Sequence, residues 1–191
     1  MSPTPPPPPF TYHITANTPD GTKSTFLDTS GPQCVQERPF GTITYLYSTP
    51  PSFSIKENTD LKYHESAPTT APFRSFQPAG GSVAVTISFA PNPSQELGYM
   101  HRSNTLDFLS VLCGEVELVL NSGERRVLCG EVELVLNSGE RRVLKQGEVC
   151  FQRGSWHAWR NVSATEWARM SCVALSAEGA VEGDGAIELA A

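Results

Sequence analysis

Two short stretches hold the side chains best suited to chemistry. The first runs Met100-His101-Arg102-Ser103-Asn104-Thr105-Leu106-Asp107, and the second runs from Gly147 to Asn161 through Gln152, Gly154, Ser155, Trp156, His157 and Trp159. Imidazole has an unperturbed pKa of about 6.5, so His101 and His157 can give or take a proton near neutrality. A neighbouring carboxylate fixes the tautomer of such a ring and raises its pKa. Asp107 supplies that carboxylate, and facing inward from a strand it needs a counter-charge, a metal or hydrogen bonds. His101, His157 and Arg102 are its expected partners. His101, Asp107 and His157 therefore form the candidate catalytic set, suited to dehydration, cyclisation, decarboxylation or enol–keto isomerisation.

The elements that must position these groups read as strands. Short runs rich in Val, Ile, Thr, Tyr and Phe are separated by Gly, Pro, Asn and Ser clusters, and no amphipathic helix is expected. Residues 11–15 and 24–27 flank Pro19-Asp20-Gly21, which predicts a hairpin, and residues 41–48 predict a strand stopped by Pro50-Pro51. Residues 81–89 place Val83, Val85, Ile87 and Phe89 on one face, the period-2 pattern of a half-buried strand. Many short strands with frequent turns predict a sandwich or barrel.

An internal duplication interrupts this pattern. Residues 111–126 read VLCGEVELVLNSGERR, and residues 127–142 repeat them without a change. Solenoid repeats drift in sequence and need at least three copies to bury a core, so this pair signals a recent tandem duplication or an error in the gene model. Each copy has hairpin chemistry around Asn-Ser-Gly. The barrel is expected to take its outgoing strand from the first copy and its return strand from the second, with the residues between them projecting outward.

The two stretches resemble the paired motifs of the cupin superfamily. His101, Asp107 and Gly114 match the first motif, and Gly154, His157 and Asn161 match the second in register. Gln152 stands at the place of the second motif's Pro, and Gly147 lies one residue closer than that pattern asks. The resemblance implies an all-β double-stranded β-helix, or jelly-roll, barrel over residues 79–176, carrying the duplicated hairpin at 111–142. Residues 11–78 then form an N-terminal β extension, with tails at 1–10 and 177–191. It also implies a pocket for a small-molecule substrate, and a context in biosynthesis of aromatic or polyketide metabolites.

Many cupins bind one divalent metal through three His and one Glu. Here Ser103 stands for the second His and Asp107 for the Glu. The surviving His101, Asp107 and His157 match the ligand count of the facial triad that holds non-haem Fe(II), though Fe, Mn, Ni and Zn are not distinguished. Asp is one methylene shorter than Glu, leaving its oxygens about 1.5 Å short at a fixed backbone position. Metal-ligand tolerance is on the order of 0.2 Å. The first reading is a metal-assisted oxidoreductase of secondary metabolism, with a metal-free lyase or isomerase and a non-catalytic small-molecule binder as the alternatives.

Composition narrows the partners. A formal charge of −6 without a Lys/Arg cluster argues against nucleic acid, and the apolar runs are far shorter than the roughly 20 residues that cross a bilayer. No secretory signal is read, so a cytoplasmic location is expected, and a homodimer is the expected assembly. The proline run Pro5 to Pro9 and the Ala/Gly/Glu-rich residues 177–191 read as disordered tails. Cys34, Cys113, Cys129, Cys150 and Cys172 are odd in number and lack Cys-x-x-Cys spacing, as expected of reduced, mostly buried thiols. His13 and His64 read as ordinary satisfied polar residues, and Trp156 and Trp159 as packing, with Trp159 the better candidate for a pocket wall.

Overall fold

The computed structural model describes residues 4–18, 20–27, 34–66, 80–98, 101–114, 116–119, 143–144, 146–178 and 188–189. Thirteen strands form among the described residues, in chain order: β1 Ile14–Asn17, β2 Ser24–Leu27, β3 Cys34–Arg38, β4 Gly41–Thr49, β5 Ser82–Phe89, β6 His101–Arg102, β7 Thr105–Cys113, β8 Val116–Val119, β9 Val143–Leu144, β10 Val149–Arg153, β11 Ala158–Asn161, β12 Ala168–Ser176 and β13 Glu188–Leu189. A six-stranded antiparallel sheet has the order β10-β7-β12-β5-β4-β3, and a three-stranded sheet the order β11-β8-β9.

Period-2 alternation makes the large sheet two-faced. On β7, Thr105, Asp107, Leu109 and Val111 are buried while Phe108 is exposed, and on β12, Ala168, Met170, Cys172 and Ala174 are buried while Val173 and Leu175 are exposed. Val83, Val85, Ile87 and Phe89 of β5 join the same core, as their spacing predicts. Val116, Leu144 and Trp159 close it from the smaller sheet, giving an all-β barrel around one interior. Each fully buried side chain such as Val85 or Met170 contributes about 2 kcal/mol of transfer free energy.

The hairpin β1–β2 forms around the expected turn, where Asp20 accepts from Thr18 Oγ1 and Thr22 Oγ1. Among the described residues a helix, α1 Thr59–Ser66, forms where none is expected, because it buries no residue and so leaves no apolar stripe in the sequence. It rests on β4 through Tyr47, whose hydroxyl donates to Asp60 Oδ2 at 2.8 Å and whose ring stacks on His64 at 4.4 Å.

Residues described within the two expected tails make contacts with the sheets. Thr4 N donates to Thr165 O at 3.0 Å, Trp167 Nε1 donates to Thr4 O at 3.1 Å, and Arg169 Nη2 donates to Pro8 O at 2.9 Å. A polyproline segment lacks internal hydrogen bonds, so its carbonyls are free to accept from side chains on a sheet. At the other end, β13 pairs with β6.

The outgoing strand β8 comes from the first copy of the duplication, and its partner β9 begins one residue after the second copy ends. The hairpin expected between them lies outside the described residues, as does Cys129. Cys34, Cys113, Cys150 and Cys172 are free thiols, all buried except the half-buried Cys113. No helix among the described residues is long and apolar enough to cross a membrane.

Candidate active site

Backbone pairing brings the two imidazoles together. His101 N donates to His157 O at 2.9 Å and His157 N donates to His101 O at 2.8 Å, a direct antiparallel bridge between residues far apart in the chain. Cross-strand partners of this kind project side chains to the same face. The ring centroids are accordingly 4.2 Å apart. His157 is 3% exposed whereas His101 is half-buried, so His101 lies on the solvent side of the pair.

Asp107 reaches this pair through a residue absent from the candidate set. It lies opposite Gln152 across β7 and β10, and both side chains are 4% exposed. The Gln152 amide nitrogen is 3.3 Å from Asp107 Oδ2, 2.8 Å from His157 Nδ1 and 2.9 Å from His157 Nε2. Nδ1 also lies 2.8 Å from the Ser155 carbonyl oxygen, which only accepts. The His157 tautomer is assigned from that carbonyl: Nδ1–H donates to Ser155 O, so the approach of the Gln152 amide nitrogen to Nδ1 is not a hydrogen bond, and Nε2 accepts one amide hydrogen of Gln152 while Asp107 Oδ2 accepts the other. One carboxamide thus links the carboxyl to the imidazole. Rather than His101, His157 or Arg102, the Asp107 carboxyl meets Gln152 and the Thr105 hydroxyl, and the Arg102 guanidinium lies 5.0 Å over the Trp156 ring.

Burial moves the two ionisable groups in opposite directions. Loss of water around Asp107 raises its pKa to about 6, against a smaller opposing effect of the Thr105 hydrogen bond. Burial of His157, reinforced by the charge of His101 and opposed by the Ser155 carbonyl, lowers its pKa to about 3. His157 is therefore a neutral imidazole at physiological pH. Two thiols line the same interior: burial, then the Asp107 charge, pushes Cys150 up to about 11 and Cys172 higher still, so both remain protonated and inert. Trp159 is buried and meets His157 edge-on at 6.3 Å, forming a wall of the site.

Other motif positions are structural. Asn161 donates through Nδ2 to Glu166 O at 2.7 Å and to Ala90 O at 3.0 Å, tying β11 to two loops. Gly114 has φ +69°, and a Cβ there would lie 2.4 Å from Trp167 O, so the close approach of β7 to β12 requires glycine. Gln152 was visible in the sequence only as a departure from the motif's Pro.

Among the described residues the candidate ligands are not assembled as the metal centre that the family resemblance implies. Among the described residues no three His, Cys, Asp or Glu side chains gather closely enough to hold a metal ion. Ser103, at the second His position, hydrogen-bonds Thr105 Oγ1 at 2.7 Å, and the Gln152 carboxamide stands between Asp107 and His157.

No family model matches the chain. Curated relatives do. It is 35% identical over 143 residues to a phomopsin biosynthesis cluster protein of Diaporthe leptostromiformis, covering 75% of the chain and 64% of that protein. It thus spans just under two thirds of that relative's length. It is 32% identical over 169 residues to an oryzines biosynthesis cluster protein of Aspergillus oryzae, covering 86% of the chain and 82% of the relative. It is 39% identical over 113 residues to a cupin-domain-containing oxidoreductase of Neurospora crassa, covering 59% of the chain and 45% of that protein. With the two motifs paired across one barrel and this similarity along most of its length, the chain belongs to the cupin superfamily.

Proposed function

We propose that this chain is an enzyme of secondary metabolism that moves protons on a small organic molecule of aromatic or polyketide type, in a lyase or isomerase reaction. The observation that carries the reading is the buried link from Asp107 through Gln152 to His157, between two groups whose pKa values environment has driven in opposite directions. Such pairs mark acid–base assignments. Asp107, with a pKa near 6, is poised to take and return a proton near neutral pH. Gln152 fixes Oδ2 and leaves Oδ1 to the substrate. His157, held neutral, anchors that carboxamide, and the half-buried His101 is placed to exchange protons between the interior and solvent. Trp159 supplies an apolar wall. The secondary-metabolism setting is supported by relatives named for phomopsin and oryzines biosynthesis clusters.

A second reading, an oxidoreductase, is favoured by the name cupin-domain-containing oxidoreductase carried by four relatives. The two readings separate on product mass. Purified protein is incubated in D₂O with extract of a producing culture that lacks it, with and without EDTA, and the products are weighed by mass spectrometry. Proton-transfer chemistry gives a deuterated product isomeric with its precursor, or lighter by water or carbon dioxide, with turnover surviving EDTA. A product differing by two hydrogens or by an oxygen atom, together with EDTA-sensitive turnover and more than about a tenth of an equivalent of metal, would establish the oxidoreductase instead.

A further inference from the structure

On the inner face of β7 and β10, two acceptor atoms of the site have no donor among the described residues. Gln152 Oε1 and Asp107 Oδ1 are both fully buried and make no hydrogen bond among the described residues, although their sister atoms are engaged. They come from cross-strand partners on β10 and β7, so they belong to one patch of the inner face. Neither satisfies the other, because a carboxamide oxygen and a carboxylate oxygen both accept. Buried acceptors left without donors are rare in folded proteins, and each calls for a functional role or for a bound water, ion or ligand that completes the bonding. We propose that this patch is the recognition site for hydroxyl groups of the substrate, an enol, phenol or alcohol whose O–H donates to Asp107 Oδ1 and Gln152 Oε1.

The surroundings narrow the class further. A carboxylate or phosphate brings no donor to these two atoms when ionised, and it meets the Asp107 carboxylate as a like charge. An ether or a hydrocarbon leaves both acceptors bare while excluding water from them. Among uncharged ligands only a donor-bearing group satisfies both atoms, and Trp159 offers an edge-on wall for the carbon frame beside them. The ligand class deepens the proton-transfer reading and rests on it, since a hydroxyl held on Oδ1 presents its proton to the group that would remove it.

The test uses the full chain and three probes sharing one ring: catechol, its dimethyl ether, and benzoate. Binding is followed calorimetrically and through the side-chain amide resonance of Gln152, identified by its loss in Gln152→Leu. The expected result is saturable catechol binding about tenfold or more tighter than the ether, no binding of benzoate, and a shift of the Gln152 amide. Gln152→Leu and the near-isosteric Asp107→Asn should each reduce the preference for catechol over the ether severalfold, with circular dichroism of the variants unchanged. Equal binding of catechol and ether overturns the proposal, as does a preference that survives both substitutions or the absence of saturable catechol binding. Failure here is distinct from failure of the proton-transfer reading. Turnover that depends on Asp107 without any hydroxyl preference leaves that reading standing, and hydroxyl preference with only redox products removes that reading and leaves the recognition site.

Discussion

The two faces of the β10-β7-β12 sheet invert the ordinary pattern of a barrel wall at adjacent positions. On the inner face, Gln152, Asp107 and Ala174 stand in register, and two polar groups are buried. One residue along, on the outer face, Phe151, Phe108 and Val173 stand in register with exposures of 61%, 41% and 41%. Phe108 and Phe151 meet edge-on at 5.3 Å. A sheet selected for stability alone would place these sets the other way round. Polar burial is kept where Asp107 and Gln152 face the histidines, while the outer row gains little from folding. Stability and chemistry therefore sit on opposite faces of the same three strands.

Asp107 is where chemistry and stability are most opposed. Asp107→Asn keeps the shape and removes the exchangeable carboxyl, so turnover of the native substrate should fall by on the order of 10²–10⁴-fold. The same substitution removes a buried charge, and chemical denaturation at pH 7–8 should show stability raised by about 1–3 kcal/mol. Activity and stability falling together would mean that Asp107 is a structural group.

The next effect is on pH dependence. Asp107 has a folded pKa of about 6, above the ordinary 3.8, so its protonated form stabilises the fold below pH 3.8 and that contribution is lost as pH rises through 6. His157 has a folded pKa of about 3, below the ordinary 6.5, so the fold gains stability as pH rises from 3 to 6.5. Between pH 4 and 6 the two oppose each other, each with an influence of a few kcal/mol. Wild-type stability should therefore be nearly flat in that window, rising with pH in Asp107→Asn and falling in His157→Asn. Denaturant midpoints measured across the window check the signs.

Smaller changes sharpen the contrast. Gly114→Ala forces a side chain against Trp167 O at 2.4 Å with φ +69°, and should destabilise by about 1–3 kcal/mol in thermal unfolding. On the outer face, Phe151→Lys should alter stability by no more than about 0.5 kcal/mol. A larger loss, accompanied by a later elution on size exclusion, would turn the bare outer row into an interface between copies.

Most of the barrel was legible because alternation is a property of each strand alone: Val83, Val85, Ile87 and Phe89 declare their face without any partner. The two histidines and Asp107 were legible by motif position. Gln152 was not, because its importance arises from strand register, which sets it opposite Asp107. The tautomer of His157 depends on the backbone carbonyl of Ser155, which no residue type encodes. The docking of the proline run and the helix α1 were hidden for the same reason: each is held by a few polar contacts rather than by an apolar stripe.

The most direct measurement is a ¹³C/¹⁵N NMR titration of the Asp107 carboxyl and the His157 imidazole in the same sample. The account predicts that the Asp107 carboxyl titrates near pH 6 while His157 keeps its proton on Nδ1 and stays neutral below pH 5. A carboxyl titrating near 4 beside an imidazole titrating near 6.5 would show two solvated groups with no shared interior, and would contradict it.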